Sequence, residues 1–116
     1  MRSVASRFER EDLTVGISPA RRASEDVTRA QDPDLAPSEV LRLAVHRSAA
    51  VRATVASRAD CPVGALISLG HDADHAVLGA LIANPRTPAS VIRTLADHRV
   101  TAISDAAVQR LRNNYR

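Results

Sequence analysis

The densest run of potential ligands in this chain is His71-Asp72-Ala73-Asp74-His75. Two imidazoles four positions apart, with carboxylates between them, are chemically suited to a divalent cation such as Zn²⁺. The same residues also suit a polar turn in which Asp72 or Asp74 accepts an N–H at the start of the next helix. Cys61 is the single cysteine. A reactive thiol needs nearby cations or a helix N-terminus to depress its pKa. A helix start is expected just after Cys61, at Pro62, but no base comes with it, so we read the residue as structural. All 16 basic residues are Arg, and a row of arginines on one face could follow a phosphate backbone. There is no Gly-rich phosphate loop, no paired catalytic carboxylates and no nucleophile–base pair. The sequence thus nominates no catalytic residue, and we read a non-enzymatic protein.

What must position these residues is a repeat. Leu43, Leu69 and Leu95 are 26 apart (69 − 43 and 95 − 69), and so are Val51, Val77 and Ile103. A fixed period of this size is the mark of a stacked array. In each unit a first helix presents a short apolar stripe: Val40, Leu43, Ala44; then Leu66, Leu69, Gly70; then Ile92, Leu95, Ala96. A polar turn follows, and a second helix begins near Ala49, Ala76 and Ala102 with Val51 and Val55, Val77 and Leu81, Ile103 and Ala107 on one face. Asp60-Cys61-Pro62 and Asn84-Pro85-Arg86-Thr87-Pro88 separate the units. Isolated helices shorter than about 12–15 residues are marginal in water, so these must stack to be stable.

The register places the ligand run in an inter-helix turn, with Asp72 equivalent to His46 and His98. Corresponding side chains two repeats apart are too distant to share a metal, and a ladder of turn polar groups explains them. No metal site is therefore expected. Cys61 matches Thr87, which as threonine would cap the helix after it. Arg47 and Arg99 are equivalent, with Ala73 between them. Arg58 and Arg110 are equivalent, with Asn84 between them. Leu78 stands where Arg52 does. As partner-binding candidates the sequence nominates Arg47, Arg52, Leu78, Arg99 and Arg110, with Leu78 open to a second reading as an extra core residue.

Residues 1–17 show no clean period, and we expect a flexible N-terminal arm. Ser18-Pro19 reads as an N-cap followed by proline at the first helical position. Ala20, Ala23, Val27 and Ala30 then trace one face of a helix that stops before Pro33. The expected organisation is an arm over 1–17 and a repeat domain over 18–116, with a partial cap at 18–36 and repeats at about 37–61, 62–87 and 88–116. Phe8 and Tyr115 are the only aromatics, so the core must be built from Leu, Ile, Val and Ala, which suits closely packed helices. No apolar run approaches the roughly 18 residues needed to span a membrane, and residues 1–9 lack the apolar stretch of a signal peptide. One cysteine makes a reducing, cytoplasmic setting the default.

Leu69-Gly70-His71-Asp72, Val77 and Ile82-Ala83-Asn84-Pro85-Arg86-Thr87-Pro88 resemble the leucine-rich repeat variant family, as do Val51-Arg52 and Val55-Ala56 in the preceding unit. The resemblance covers about residues 37–110. Leu78 departs from the pattern where Arg52 follows it, and Arg58 and Arg110 depart where Asn84 does. The resemblance implies alternating α and short 3₁₀ helices in a right-handed, HEAT-like superhelix. The expected fold is thus all-α: a short right-handed α-solenoid of about three repeats with a partial N-terminal capping helix. Some members carry an iron–sulfur cluster on a separate cysteine-rich segment. With Cys61 alone, this chain is expected to carry no cofactor.

The net charge is +3, and the basic excess is concentrated towards the C-terminus, where residues 88–116 hold five Arg and two acids. That gradient alone is not a nucleic-acid footprint. The middle unit interrupts both arginine rows, and the aromatic platforms of single-strand binders are missing. We therefore expect a protein partner, bound through the curved surface and the arm. Arg-mediated nucleic-acid binding is the alternative, and homo-oligomerisation through the repeat ends remains open.

Overall fold

The computed structural model describes residues 18–114, which form seven helices and no strand. The arm expected at 1–17 lies outside the described residues. In chain order the helices are α1 (Pro19–Ala30), α2 (Pro37–Leu43), α3 (Ala49–Ala56), α4 (Val63–Leu69), α5 (His75–Ala83), α6 (Ala89–Leu95) and α7 (Thr101–Asn114). The longer helices stack in sequence, α1 on α3, α3 on α5 and α5 on α7. The seven-residue helices form a second row, with α2 and α4 against α3, α4 also against α5, and α6 against α7. This is the all-α solenoid expected from the period.

The short helices are α-helical turns closed at both ends by tighter bonds rather than 3₁₀ helices throughout. Ala65 N–H reaches Pro62 O at 3.0 Å, and Val91 N–H reaches Pro88 O at 3.0 Å. At the other end His71 N–H reaches Ser68 O at 3.1 Å, and Asp97 N–H reaches Thr94 O at 3.2 Å. Proline starts each of them. Pro37 occupies the first helical position of α2, whereas Pro62 and Pro88 occupy the N-cap of α4 and α6. A proline ring fixes φ at a helix-compatible value and has no N–H to leave orphaned there.

Burial follows the expected stripes. Val40, Leu43, Val51, Val55, Leu66, Leu69, Val77, Leu81, Ile92, Leu95, Ile103 and Ala107 share one aliphatic core that runs the length of the array. Gly70 matters because a Cβ there would lie 2.9 Å from Val91 Cγ1 and 3.2 Å from Ile67 O. The missing side chain lets α6 approach the end of α4. α7 differs from its counterparts by running to Asn114, further along its unit than α3 or α5 does.

Two N-caps form as expected. Ser18 Oγ accepts Arg21 N–H at 3.1 Å, and Asp74 Oδ1 accepts Ala76 N–H at 2.8 Å at the start of α5. Thr87 does not cap. Its buried hydroxyl donates to Leu81 O at 2.6 Å, so it satisfies the end of the preceding helix rather than the start of the next. Cys61, its equivalent, is fully buried and fills the same slot as a small apolar group.

Candidate functional site

Repeat-equivalent polar side chains form two internal ladders, and these absorb most of the residues that could do chemistry. The first ladder sits in the turns. Ser48 N–H donates to His46 Nδ1 at 2.9 Å, Asp74 N–H to Asp72 Oδ1 at 2.9 Å and Val100 N–H to His98 Nδ1 at 3.0 Å. An imidazole and a carboxylate serve alike here because each offers an acceptor three bonds from its own Cα, in reach of the N–H two residues on.

The first two rungs also reach back 20 residues to the preceding long helix. With Nδ1 accepting, the proton of neutral His46 sits on Nε2, which faces Asp26 Oδ2 at 2.8 Å. Asp72 takes Arg52 in a forked pair, Nε to Oδ2 at 2.6 Å and Nη2 to Oδ1 at 3.2 Å. Arg52 Nη1 further donates to His46 O at 2.8 Å and Arg47 O at 2.9 Å. Burial pushes the Asp72 carboxyl up, but Arg52 and the Asp74 N–H outweigh it and hold the group below the usual carboxylate range. In the third rung Leu78 takes the place of the charged partner. The His98 ring there meets the edge of the His75 ring at a centroid distance of 6.0 Å.

The second ladder closes the ends of the long helices. Arg58 Nη1 donates to Ala30 O at 2.7 Å and Asp32 O at 2.8 Å. Asn84 Nδ2 donates to Ala56 O at 2.7 Å and Arg58 O at 2.9 Å. Arg110 Nη1 donates to Ile82 O and to Asn84 O, and its Nη2 to Pro85 O at 3.3 Å. In each unit, therefore, one planar nitrogen group donates to a carbonyl at the helix C-terminus (Ala30, Ala56 or Ile82) and to the carbonyl two residues on, which also accepts a backbone N–H from Leu35, Cys61 or Thr87. Arg58 is itself held by Asp60, Nε to Oδ1 at 2.8 Å and Nη2 to Oδ2 at 2.9 Å.

These contacts correct three of the partner-binding candidates. Leu78 is 1% exposed and belongs to the core, so of its two readings the packing one holds. Arg52 is occupied by Asp72 and two carbonyls. Arg110 is turned inward to the end of α5. Arg47 and Arg99 remain, both exposed and, among the described residues, without a side-chain hydrogen bond or ion pair. Of the ligand run, Asp72 and Asp74 are engaged as above, and His71 and His75 are exposed. Among the described residues no three His, Cys, Asp or Glu side chains converge. Burial first, and the Asp60 charge second, push the Cys61 thiol up to about 11 against the opposing effect of Arg58 and Arg86.

Two depressions occur beside these elements. One, of about 320 Å³, lies between the ends of α1 and α3 and is lined by Ala30, Gln31, Thr54, Ser57 and Arg58. Its hydroxyls are turned onto their own helix, Thr54 to Ala50 O at 2.8 Å and Ser57 to Ala53 O at 3.0 Å. The other, of about 150 Å³, lies between α4 and α6. Sequence reasoning passed over the surface beside it. Leu41, Val63 and Ile67 on the short helices and Val45 in the turn after α2 are 47%, 46%, 46% and 77% exposed. The available signal was position: Leu41 and Ile67 are equivalent and lie off the buried stripe, at the register where the third unit carries Arg93.

Fold and ladders together define a stacked α-helical repeat whose polar groups mostly bind one unit to the next. Residues 49–74 match the family model of the leucine rich repeat variant, the family that the sequence resembles. The matched span is one period long and runs from α3 through the turn before α5, so it includes Arg52, Arg58 and Asp72. That family is a repeat module of the kind generally used for protein interaction. No curated protein and no solved structure matches the chain. No helix among the described residues is long and apolar enough to cross a membrane.

Proposed function

We propose that this chain is a non-enzymatic protein–protein interaction module that holds a partner protein on its repeat surface, with residues 1–17 as a contributing arm. One observation carries the reading. The side chains with catalytic or phosphate-binding chemistry are mostly consumed by contacts between repeats, while aliphatic side chains stand open on the short helices. The hydroxyls that line the larger depression are turned onto their own helix, and its guanidinium is held by Asp60 and two carbonyls. Nucleic-acid binding loses support because one of the two arginine rows, Arg58 and Arg110, is turned onto backbone carbonyls, and Arg52 is held by Asp72 and two carbonyls. We place the protein in a reducing, cytoplasmic setting, in keeping with a lone, buried Cys61.

Affinity purification of the tagged chain from its host, with cross-linking before lysis, tests this reading. The expected result is a stoichiometric protein that survives nuclease treatment and moderate salt. Recovery of nucleic acid alone, retained at low salt and lost as salt is raised, as phosphate contacts are, would refute it.

A further inference from the structure

We propose that the exposed face of the short helices docks an acidic amphipathic helix of the partner, with apolar anchors on α2 and α4 and a carboxylate on Arg93. The inference rests on the protein-interaction reading above and specifies the surface and the chemistry of its occupant. The surface is graded along the array. At one register the three units present Leu41, Ile67 and Arg93. One turn earlier they present Pro37, Val63 and Ala89, and one turn later Val45, His71 and Asp97. At these registers the first two units therefore present aliphatic side chains and Pro37, with His71 the one polar group, and the third presents Arg93 and Asp97.

The rim is basic. Arg47, Arg93 and Arg99 are exposed and unpaired among the described residues. Arg42, 68% exposed, shares Glu39 with Arg29, so two guanidiniums stand on one carboxylate. Of the acids in the turns after α4 and α6, Asp72 is engaged by Arg52 and Asp74 at the start of α5, which leaves Asp97 exposed there, with Asp34 exposed just before α2. An acidic occupant complements this rim, whereas a basic one or a second copy of this arginine-rich face does not.

The dimensions favour a helix. Packed helices lie about 8–10 Å apart, and seven residues of α-helix rise about 10.5 Å. An apolar residue set on Ile67 thus places a carboxylate seven positions away over Arg93, one short helix further along. Between α4 and α6 the depression beside Ile67, floored by Gly70 and Val91 and edged by Ser90 and Thr94, measures about 150 Å³. That is room for one aliphatic side chain and well below the roughly 300 Å³ at which small-molecule pockets begin. Apolar anchors at such intervals are how helix-in-groove recognition works.

The test uses the full chain and three labelled synthetic helices of about 18 residues: a Leu/Glu amphipathic helix, its Leu/Lys counterpart, and the acidic peptide with its leucines scrambled. NMR and fluorescence anisotropy are expected to show saturable binding of the first alone, with amide shifts on α2, α4 and α6. Ile67→Glu and Arg93→Glu, both at exposed positions, are each expected to weaken it about tenfold, and Arg93→Glu to gain affinity for the Leu/Lys peptide. Ala50→Glu, on the long-helix row, is expected to change nothing. No saturation, equal binding of the scrambled peptide, or shifts confined to the long helices overturns the proposal. So does a concentration-dependent dimer abolished by Ile67→Glu, which would make a second copy the occupant. If these variants still recover the host partner, the docking face is wrong and the interaction reading stands. If wild type recovers no protein, that reading itself falls.

Discussion

Asn84 offers the sharpest test of the ladder at the helix ends. It is 3% exposed and lies at the middle of the array, where α3 meets α5. Its Nδ2 serves Ala56 O and Arg58 O, and its Oδ1 accepts Arg86 N–H at 2.9 Å. Three neutral hydrogen bonds at about 1 kcal/mol net each put the cost of Asn84→Ala near 3 kcal/mol. Asn84→Asp should cost more, about 3–5 kcal/mol, because a buried carboxylate would face two carbonyl oxygens with nothing to donate. Asn84→Arg should cost about 1 kcal/mol or less, since Arg58 and Arg110 do the same work from equivalent positions. Its remaining defect is Arg86, which stands where Arg58 has Asp60, so adding Arg86→Asp should recover that loss. Urea unfolding followed by far-ultraviolet circular dichroism reads these differences. In a nearest-neighbour array the damage is local, so hydrogen exchange should also quicken first in α1–α3. An Ala variant within about 0.5 kcal/mol of wild type, or an Arg variant no better than Ala, would show that the shared contact is incidental.

Two glycines should respond oppositely. Gly70→Ala forces a Cβ against Val91 and is expected to cost about 1–2 kcal/mol, whereas Gly79→Ala, inside α5 with open space around it, should gain about 0.5–1 kcal/mol; thermal melts that rank them the other way refute the packing. Cys61, with its thiol pushed up to about 11, should be about a thousandfold less thiolate at pH 8 than at that pH, and should react with iodoacetamide only when the chain opens. Because its folded pKa is raised, its contribution to stability is intact below the unfolded thiol value of about 8.5 and is lost as pH rises towards about 11; Cys61→Val should flatten that alkaline decline. Leu78→Arg buries a lone charge and should cost about 3–5 kcal/mol, while His98→Asp in the same chain recreates the Arg52–Asp72 rung and should restore at least about 1 kcal/mol of it. A double-mutant cycle with no coupling would mean that positions 20 apart are not partners.

The period, the apolar stripes and the caps at Ser18 and Asp74 were legible because each is a local signal: a side chain's face on its own helix, or an acceptor next to its own turn. What could not be read was any contact whose partner is fixed by stacking. Arg58, Asn84 and Arg110 looked like an interrupted basic row, since charge was the property compared. The helix ends need donors rather than charge, and a carboxamide and a guanidinium both provide planar N–H groups. Compared by donor capacity, the row has no interruption. The same holds for the pairs Asp26–His46 and Arg52–Asp72, which bond across 20 residues although neither column alone keeps a chemical type.

This difference also decides which departures from the repeat bear on function. A substitution buried in the shared core, such as Leu78, keeps the array packed and says little about the outside. A substitution with no internal partner, such as Arg93 where Leu41 and Ile67 stand, is free of the constraints that hold the array together. Its cost in stability is close to zero in either form, as exposed surface changes usually are. What sets it apart is the face it presents: an apolar pair followed by a cation, on the row of helices whose outer side nothing in the chain covers among the described residues. The candidate surface therefore follows from subtracting the two ladders from the repeat, and the short-helix face carries the contrast that remains.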